Sequence, residues 1–223
     1  KLAVFYQNDE YGKGGLDGVR KAAAAAGAQV VGEVSYELSD RALGTHALKL
    51  KESGADAVIL YPTATHGALI LKEMAGQGYR PTILASFTLA DPLMFTLAGD
   101  LWEGVYVNVA GQVGPITAPE AVRASEILTR YEPRLKGKEY AGLYGAVSVM
   151  LTIEGLKRAG RDLTREKFIE ALESIRDWRA EGIGASITFG PGRRHGLNAV
   201  QLMRAEKGKL VPVTGWQVFP PLY

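Results

Sequence analysis

KLAVFYQNDEYGKGGLDGVRKAAAAAG, residues 1–27, begins with an apolar run, passes through a polar loop and ends in an alanine-rich segment that stops at a glycine. The run at 2–7 is typical of a buried strand. The alanine-rich part, from about Leu16 to the stop at Gly27, is typical of a helix. Residues 8–12 form the loop between them. The sequence therefore opens with the strand, loop and helix that make up a parallel α/β fold.

The same unit recurs as far as residue 110. Apolar runs predict strands at 30–34, 56–61, 82–85 and 104–109, and helical patterns predict helices at 43–50, 66–75 and 92–98, with Asp40 and Asp91 as caps of the first and last. Each crossover helix must bury its apolar stripe against the sheet, so both faces of the sheet are covered. The sequence predicts an α/β fold, with a doubly wound parallel sheet, for residues 1–110.

After residue 110 the alternation stops. The sequence predicts a linker at 111–115 and three helices, at 117–131, 140–159 and 164–175, of which Thr117 caps the first and Thr164 the third. It then predicts a lone strand at 184–189 and a hairpin from 198–205 and 209–213. The helix at 140–159 is apolar over most of its circumference, so it requires burial on more than one side. Three helices and at most one strand hold too little sheet to cover it. Residues 115–196 are therefore predicted to be the incomplete helical part of a second domain.

The composition excludes several classes of protein. Of the 223 residues, 47% are hydrophobic and 22% are charged, as in an ordinary globular chain. The net charge of +2 is dispersed and forms no basic stripe, so no nucleic-acid partner is expected. No apolar run approaches the length of about 18 residues that spans a bilayer, so no membrane insertion is expected. The lack of cysteine removes thiolate nucleophiles but is compatible with cytosol and periplasm alike.

Three loops follow the carboxyl ends of predicted strands, where a doubly wound sheet binds its ligands: residues 8–12, 62–65 and 86–88. They carry hydroxyls, amides and two aromatic rings, Tyr11 and Phe87, each of which either packs under its loop or lines a ligand crevice. They carry no obvious catalytic group. The motifs GxGxxG, GxxxxGK[ST] and GxSxG are absent from the sequence. The sequence therefore predicts no enzyme, no catalytic residue and no cofactor.

The three histidines stand alone in sequence, without a second ligand at helical spacing, so no metal site is predicted. His46 is expected on a solvated helix face and His195 in a surface loop. His66 lies beside the second loop and is the one histidine to test as a metal ligand. Asp9 and Glu10 are expected to form a solvated turn that caps the first helix.

Several stretches in a fixed order carry a resemblance: KLAVFYQNDEYGKG at 1–14, DAVILY at 56–61, LAGDLWEGV at 97–105, YGAV at 144–147, FGPGRRHGLN at 189–198 and GKLVPVTGW at 208–216. Together they resemble the type I periplasmic binding proteins, in the leucine/isoleucine/valine-binding branch of the solute-binding proteins of ABC transporters. The resemblance covers essentially the whole chain. It implies a two-lobed clamp that the chain crosses three times and that traps its ligand at the hinge.

The resemblance also assigns parts of the chain to lobes. Residues 1–111 are expected to form the C-terminal lobe, 115–196 the chain's return to the N-terminal lobe, and 197–223 the terminal hairpin back. About half of the N-terminal lobe has no counterpart, so the chain is expected to be a fragment of a longer protein whose precursor carries a signal peptide. The implied location is the periplasm, or the outer face of the membrane with a lipid anchor in a Gram-positive organism.

By the same resemblance, eight residues are expected to contact the ligand: Tyr11, Thr63, Ala64, Thr65, Ser86, Phe87, Thr88 and Tyr144. Core packing is the alternative for Tyr144. Family members that bind branched-chain amino acids often present an aromatic ring where Ala64 stands, and amino-acid binders place an acidic residue for the ligand's ammonium where Phe87 stands. An ammonium without that carboxylate loses a hydrogen bond worth about 1.5–3 kcal/mol. An aromatic or other carboxylate is therefore expected ahead of an α-amino acid.

The function that the resemblance implies is extracytoplasmic binding of a small organic solute and its delivery to the permease of an ABC importer. A ligand-sensing regulator or receptor domain with the same clamp is the alternative. An α/β enzyme is the third interpretation, and detectable turnover would decide for it.

Overall fold

The computed structural model describes residues 1–110, 119–180 and 183–220. The predicted linker at 111–115 and the predicted cap at Thr117 lie outside the described residues. The chain divides into two compact units. Unit 1 comprises Lys1–Asn108 and Leu202–Val213, and unit 2 comprises Val109–Gln201 and Thr214–Tyr223.

Unit 1 is built around a parallel sheet. Its first five strands are β1 (Leu2–Gln7), β2 (Val30–Tyr36), β3 (Ala57–Tyr61), β4 (Thr82–Ala85) and β5 (Tyr106–Val109). β1 pairs in parallel with both β2 and β3, and β4 and β5 continue the parallel sheet beyond β3. The order β2-β1-β3-β4-β5 confirms the doubly wound α/β fold.

Four helices connect these strands: α1 (Glu10–Ala26), α2 (Gly44–Glu52), α3 (Ala64–Gly76) and α4 (Leu93–Leu97). On one face of the sheet, Val4 and Ile59 pack with Leu16 and Val19 of α1. Side chains alternate between the two faces along a strand. The neighbouring strand residues Phe5, Val58 and Leu60 are also fully buried. Both faces of the sheet are therefore covered around β1 and β3.

Two helix starts differ from the sequence-based expectation. α1 begins at Glu10 rather than near Leu16, and Asp9 caps it by accepting from the backbone N–H of Gly12 at 2.9 Å. The solvated turn expected at residues 9–10 is thus the first part of a helix with its cap. α2 begins at Gly44 without a side-chain cap. Asp40 instead accepts from the backbone N–H of Glu37 at 2.9 Å, so its predicted capping role is wrong.

The described part of unit 2 contains α5 (Pro119–Tyr131), α6 (Glu139–Ala159), α7 (Arg165–Glu173), β6 (Trp178–Ala180) and β7 (Ile183–Ile187). Thr164 caps α7 as predicted, because its hydroxyl accepts from the backbone N–H of Lys167 at 3.2 Å. The prediction of a lone strand at 184–189 is wrong, since β6 pairs antiparallel with β7. A three-residue strand is too short to show a sequence period.

A small apolar cluster joins the helices and strands of unit 2. Its buried members are Ala121, Ala124, Leu143, Ala180 and Ile183. These residues come from α5, α6, β6 and β7, so α6 packs on both its helical and its strand neighbours. The later part of α6 keeps three apolar side chains exposed, Val149, Ile153 and Leu156.

The predicted hairpin is present: β8 (Ala199–Glu206) pairs antiparallel with β9 (Lys209–Pro212). Lys207 and Gly208 form its two-residue turn with φ of 51° and 77°. The carboxylate of Glu103 accepts from both turn N–H groups, at 2.9 and 3.2 Å. β9 and the last five residues of β8 belong to unit 1, where β8 follows β5 in the sheet. Within unit 2, β10 (Gln217–Val218) pairs with the start of β8.

None of the helices in the described ranges is long and apolar enough to span a membrane.

Candidate functional site

The candidate site lies at the carboxyl ends of β1, β3 and β4. β1 stands between β2 and β3, so the crossovers that leave β1 and β3 run in opposite directions, and ligands bind at such a switch point. The connections are shorter than predicted: residues 8–9 lead from β1 into α1, and residues 62–63 lead from β3 into α3. Tyr11, Ala64 and Thr65 consequently lie in the first turns of helices. Ser86 follows β4 and precedes a 3₁₀ turn at Phe87–Leu89.

Three of the predicted side chains meet in one group, which we call the hydroxyl cluster: Tyr11, Ser86 and Thr88. Tyr11 Oη lies 2.6 Å from Ser86 Oγ and 2.7 Å from Thr88 Oγ1. Ser86 Oγ and Thr88 Oγ1 are 2.9 Å apart, and Thr88 Oγ1 donates to the carbonyl of Pro62 at 3.3 Å. Ser86 is buried, whereas Tyr11 and Thr88 are exposed. The cluster therefore has an anchored base and two accessible members.

Two glycines allow α1 to approach the sheet closely enough to place Tyr11 in this cluster. A Cβ on Gly12 would stand 2.0 Å from the carbonyl oxygen of Gln7, and a Cβ on Gly15 would stand 2.4 Å from the ring of Tyr61. The Tyr61 ring lies 5.7 Å from the Tyr11 ring, centroid to centroid. Alanine at either glycine would push the start of α1 away from the sheet.

A chain of hydrogen bonds joins the ends of β1, β2 and β3. The backbone N–H of Thr63 donates to Tyr36 Oη at 3.0 Å, and Tyr36 Oη donates to Gln7 Oε1 at 3.0 Å. The amide nitrogen of Gln7 then donates to the carboxylate of Asp9. Burial raises the pKa of Tyr36, so its hydroxyl stays protonated and can donate. The sequence reasoning did not identify Gln7 or Tyr36; a polar residue ending an apolar strand was the available signal.

His66 is buried with both ring nitrogens engaged. Nδ1 lies 2.8 Å from Thr63 Oγ1, and Nε2 lies 3.1 Å from the carbonyl oxygen of Asp40. The imidazole ring lies 4.5 Å from the ring of Tyr36. These contacts make His66 a support for the start of α3 and leave it without a free nitrogen for a metal. Within the residues that the structure describes, no three metal-ligating side chains come together.

The other two histidines, His46 and His195, are not among the hydrogen-bond partners that the structure describes for the hydroxyl cluster. His46 is mostly buried, with its ring at the edge of the Phe5 ring (6.2 Å between centroids) and Nε2 3.7 Å from Asp40 Oδ2. The expectation of a solvated helix face for His46 is therefore wrong, because its ring faces the sheet rather than water. His195 is exposed, as expected for a surface loop.

The remaining predicted residues fall into two places. Thr63 and Thr65 are exposed and Ala64 is half-buried at the start of α3, and Phe87 is exposed beside the cluster residues that flank it in sequence. Tyr144 belongs to unit 2, where it lines a cavity of about 190 Å³. Leu143 of the apolar cluster of unit 2 lines the same cavity. Burial raises the pKa of Tyr144 to about 12. A contact between Tyr144 and the ligand stays a prediction.

Acidic side chains near these strand ends are engaged by donors of unit 1. Asp9 caps α1, and Glu37 accepts from the side chain of Asn8 at 2.6 Å. Asp91 accepts from the first backbone N–H of α4 at 2.8 Å. Glu10, the exposed first residue of α1, projects roughly 100° around the helix axis from the tyrosine that follows it. Within the part of the chain that the structure describes, none of the carboxylates of Asp9, Glu37 and Asp91 is a hydrogen-bond partner of the hydroxyl cluster.

The chemistry of this edge suits binding rather than catalysis. The contacts of the hydroxyl cluster are to one another and to a backbone carbonyl, so none of its hydroxyls is paired with a histidine or carboxylate that would activate a nucleophile. Hydroxyls and an exposed aromatic ring are groups that orient a small ligand. Fold and site together are those of the doubly wound α/β class, with hydroxyls and an aromatic ring gathered at the switch point of the sheet.

Comparison with known families agrees with this class. The sequence profile of the family described as "Periplasmic binding protein" matches residues 1–209, and the chain belongs to that family. The resemblance drawn from the sequence stretches is thereby confirmed. The family consists of non-enzymatic substrate-binding proteins, in agreement with the lack of catalytic motifs in the sequence. The location of the family is extracytoplasmic.

Curated relatives cover nearly all of the chain. "Leu/Ile/Val-binding protein homolog 8" of Brucella melitensis and that of Brucella abortus are each 24% identical to the chain over 229 residues. These alignments take in 96% of the chain and 54% of each relative. The chain therefore spans about half the length of the curated relatives it matches.

Solved structures share the fold. A branched-chain amino acid ABC transporter protein from Thermus thermophilus with bound valine has a TM-score of 0.85 and 21% identity, over 98% of this chain and 60% of that chain. A fatty acid ABC transporter substrate-binding protein from Thermomonospora curvata has a TM-score of 0.81 and 21% identity, over 98% and 57%. These similarities confirm the type I periplasmic binding protein fold over a partial length.

Proposed function

We propose that this chain is part of a solute-binding protein that captures a small organic solute outside the cytoplasm and delivers it to the permease of an ABC importer. The observation that carries the proposal is the hydroxyl cluster at the switch point of the unit 1 sheet. A doubly wound sheet binds ligands at this edge, and the groups found there orient a ligand without activating it. Membership of the periplasmic binding protein family supports the same function.

The proposed ligand is an aromatic or other carboxylate with an apolar body. Tyr11 and Phe87 both expose a large part of their rings, 37% and 43% of the residue surface. Such rings favour an apolar or aromatic ligand. Among the described residues, the hydroxyl cluster contacts only hydroxyl and carbonyl oxygens and no carboxylate, so an α-ammonium group bound at the cluster meets no charged acceptor there.

The ligands named for the relatives share two features with the ligand proposed here, a carboxylate and an apolar body. The Brucella proteins are named for leucine, isoleucine and valine, the Thermus thermophilus protein holds valine, and the Thermomonospora curvata protein is named for fatty acids. All of these molecules combine a carboxylate with an apolar body. The proposal for this chain keeps those two features and does not require an ammonium group.

We also propose a two-lobed arrangement for the whole protein. Residues 1–111 and the terminal hairpin at 197–223 belong to one lobe, and residues 115–196 contribute to the other. In this proposal the contacts to the ligand's carboxylate come from the second lobe. Closure of the lobes around the ligand is then the event that the permease recognises.

Thermal unfolding of the protein encoded by the complete open reading frame tests this function. The panel consists of benzoate, phenylacetate, octanoate, leucine and valine. A ligand present at 100 times its Kd stabilises the protein by about 2.7 kcal/mol, which raises its Tm by a few degrees. Tyr11→Ala should abolish the rise. Tyr131→Ala, a matched change at a tyrosine of α5 that is 81% exposed, should preserve it.

The outcomes separate the parts of the proposal. A rise with carboxylates and not with leucine or valine supports both the function and the ligand class. A rise with leucine or valine alone refutes the ligand class and leaves the binding function intact. Turnover of any panel member refutes the binding function. A DNA-binding or signalling domain in the same open reading frame would favour a ligand-sensing regulator instead.

A further inference from the structure

The hydrogen-bond inventory of the hydroxyl cluster constrains the ligand. Three hydroxyls, each with one proton, share four contacts: three among themselves and one to the carbonyl oxygen of Pro62. A hydroxyl donates one hydrogen bond and accepts two, whereas a carbonyl oxygen only accepts. All three protons are therefore used inside the protein, and the cluster has none left to donate outward.

The cluster consequently offers acceptors to its ligand. Each of the three oxygens has two lone pairs, six in all. Each internal hydrogen bond occupies one lone pair, and the three protons make at most three such bonds, so at least three lone pairs stay unused. Ser86 is buried, so the lone pairs within reach of a ligand belong to Tyr11 Oη and Thr88 Oγ1. An incoming carboxylate or ether oxygen, which needs a proton, must first break one of the internal hydrogen bonds.

The hydroxyl of Thr63, in the loop after β3, also offers acceptors rather than a donor. His66 Nε2 lies 3.1 Å from the carbonyl oxygen of Asp40, which only accepts, so Nε2 carries a hydrogen. In the imidazole tautomer with its hydrogen on Nε2, Nδ1 accepts, and the hydroxyl of Thr63, 2.8 Å away, is the donor. The backbone N–H of Thr63 is likewise committed, to Tyr36. The exposed Thr63 hydroxyl therefore also presents lone pairs to solvent.

Accessible lone pairs on neutral oxygens favour an uncharged donor. An ammonium group is bound strongly by a charged acceptor, which hydroxyl oxygens do not supply. Within the described residues, the contacts of the cluster are to hydroxyl and carbonyl oxygens, and no carboxylate is among them. A neutral O–H or N–H loses less solvation energy on leaving water than an ammonium does.

We infer that the end of the ligand that faces unit 1 is an uncharged hydrogen-bond donor, such as a hydroxyl, an amide N–H or a neutral amine. The inference rests on the proposed function and narrows its ligand to carboxylates that carry such a donor. A hydroxylated aromatic acid combines the carboxylate, the apolar body and the neutral donor.

Isothermal titration of the protein from the complete open reading frame with matched benzoates tests the inference. 4-Hydroxybenzoate and 4-aminobenzoate carry a neutral donor, 4-methylbenzoate replaces it with a group of similar size, and 4-(aminomethyl)benzoate carries a charged donor. The two neutral donors should bind about five- to tenfold more tightly than 4-methylbenzoate, the effect of about one neutral hydrogen bond. 4-(Aminomethyl)benzoate should bind more weakly than either of them.

Two variants locate the donor's partner. Thr88→Val should remove most of the preference for 4-hydroxybenzoate over 4-methylbenzoate. Thr45→Val, the same change at an exposed threonine of α2, should keep the preference.

Equal Kd values for the neutral donors and 4-methylbenzoate would overturn the inference. Tightest binding of 4-(aminomethyl)benzoate, or of leucine or octanoate titrated alongside, would overturn it as well, and in all these cases the binding function stands. A preference that Thr88→Val leaves unchanged would show that the donor does not reach the cluster. If none of these compounds binds, the proposed function fails and the inference with it.

Discussion

Gly12→Ala should destabilise unit 1 and displace Tyr11, whereas Gly14→Ala, two residues further along the same helix, should be stabilising. The added Cβ at position 12 would stand 2.0 Å from the backbone oxygen of Gln7, and ordinary contact begins at 3.4 Å. The difference, 3.4 − 2.0 = 1.4 Å, must be met by moving either α1 or β1, because the clashing atom is backbone. A Cβ at position 14 meets nothing within 4 Å.

The size of the effect follows from two opposing terms. Overpacking costs about 1–3 kcal/mol, and a backbone clash belongs at or above the upper end of that range. Replacing glycine by alanine in a helix contributes about 0.5–1 kcal/mol of stability at both positions. Gly12→Ala should therefore lose about 2 kcal/mol and Gly14→Ala should gain about 0.5–1 kcal/mol, a separation of about 3 kcal/mol.

Urea unfolding followed by tryptophan fluorescence measures this separation. Trp102 is fully buried in unit 1, and Trp178→Phe and Trp216→Phe in the background of both variants remove the signals of unit 2. Gly12→Ala should also weaken ligand binding, since Tyr11 directly precedes it. Equal unfolding midpoints for the two variants would refute the idea that close contact with Gln7 sets the position of α1.

Three further predictions concern other parts of the chain. Tyr144→Phe should remove a loss of stability between pH 10 and about 12, because burial raises the folded pKa of Tyr144 to about 12 while the unfolded chain releases this proton near the ordinary value of 10.0. Identical pH profiles for both proteins would contradict it. His66→Ala should lower the free energy of unfolding by about 2–3 kcal/mol through two lost hydrogen bonds and a lost buried ring, and EDTA should leave the stability of the unsubstituted protein unchanged. Destabilisation by EDTA of the unsubstituted protein but not of His66→Ala would assign a metal to this histidine. Lys207→Asn should raise the free energy of unfolding by about 0.5 kcal/mol, since asparagine tolerates the φ of 51° better than lysine. A lower midpoint in urea would show that the lysine stabilises the turn in another way.

Buried strands were predictable because their sequence pattern is local. β1, β3 and β4 are short apolar runs bounded by polar or turn residues, and the structure places them within a residue or so of the predicted ranges. The hairpin of β8 and β9 was equally visible, because Lys207 and Gly208 separate two extended runs. β6 was missed because three residues hold too little pattern to be distinguished from a loop.

The start of α1 was not predictable from local pattern. Residues 10–15 contain three glycines, a composition typical of a loop. Two of these glycines are explained by tertiary contact, since Gly12 lies against Gln7 and Gly15 against Tyr61. A contact between residues of different elements leaves no periodic signal in either of them.

The sequence indicated the members of the hydroxyl cluster one by one as ligand contacts, which stays a prediction, but it did not show that they meet. Tyr11, Ser86 and Thr88 were each expected near the ligand, and their contact depends on the alignment of β1 with β4, which β3 separates. The supporting residues Tyr36 and His66 act through side chains that the fold turns inward, and exposure cannot be read from sequence. The polarity of the cluster follows from distances and therefore required the structure.

The most direct test of the binding function is a crystal structure of the protein from the complete open reading frame, grown with the best ligand from the titrations. The proposal predicts that the ligand lies at the carboxyl ends of β1, β3 and β4, with a ligand O–H or N–H within about 3.2 Å of Tyr11 Oη or Thr88 Oγ1. A ligand bound elsewhere in the protein, with the hydroxyl cluster untouched, would contradict it.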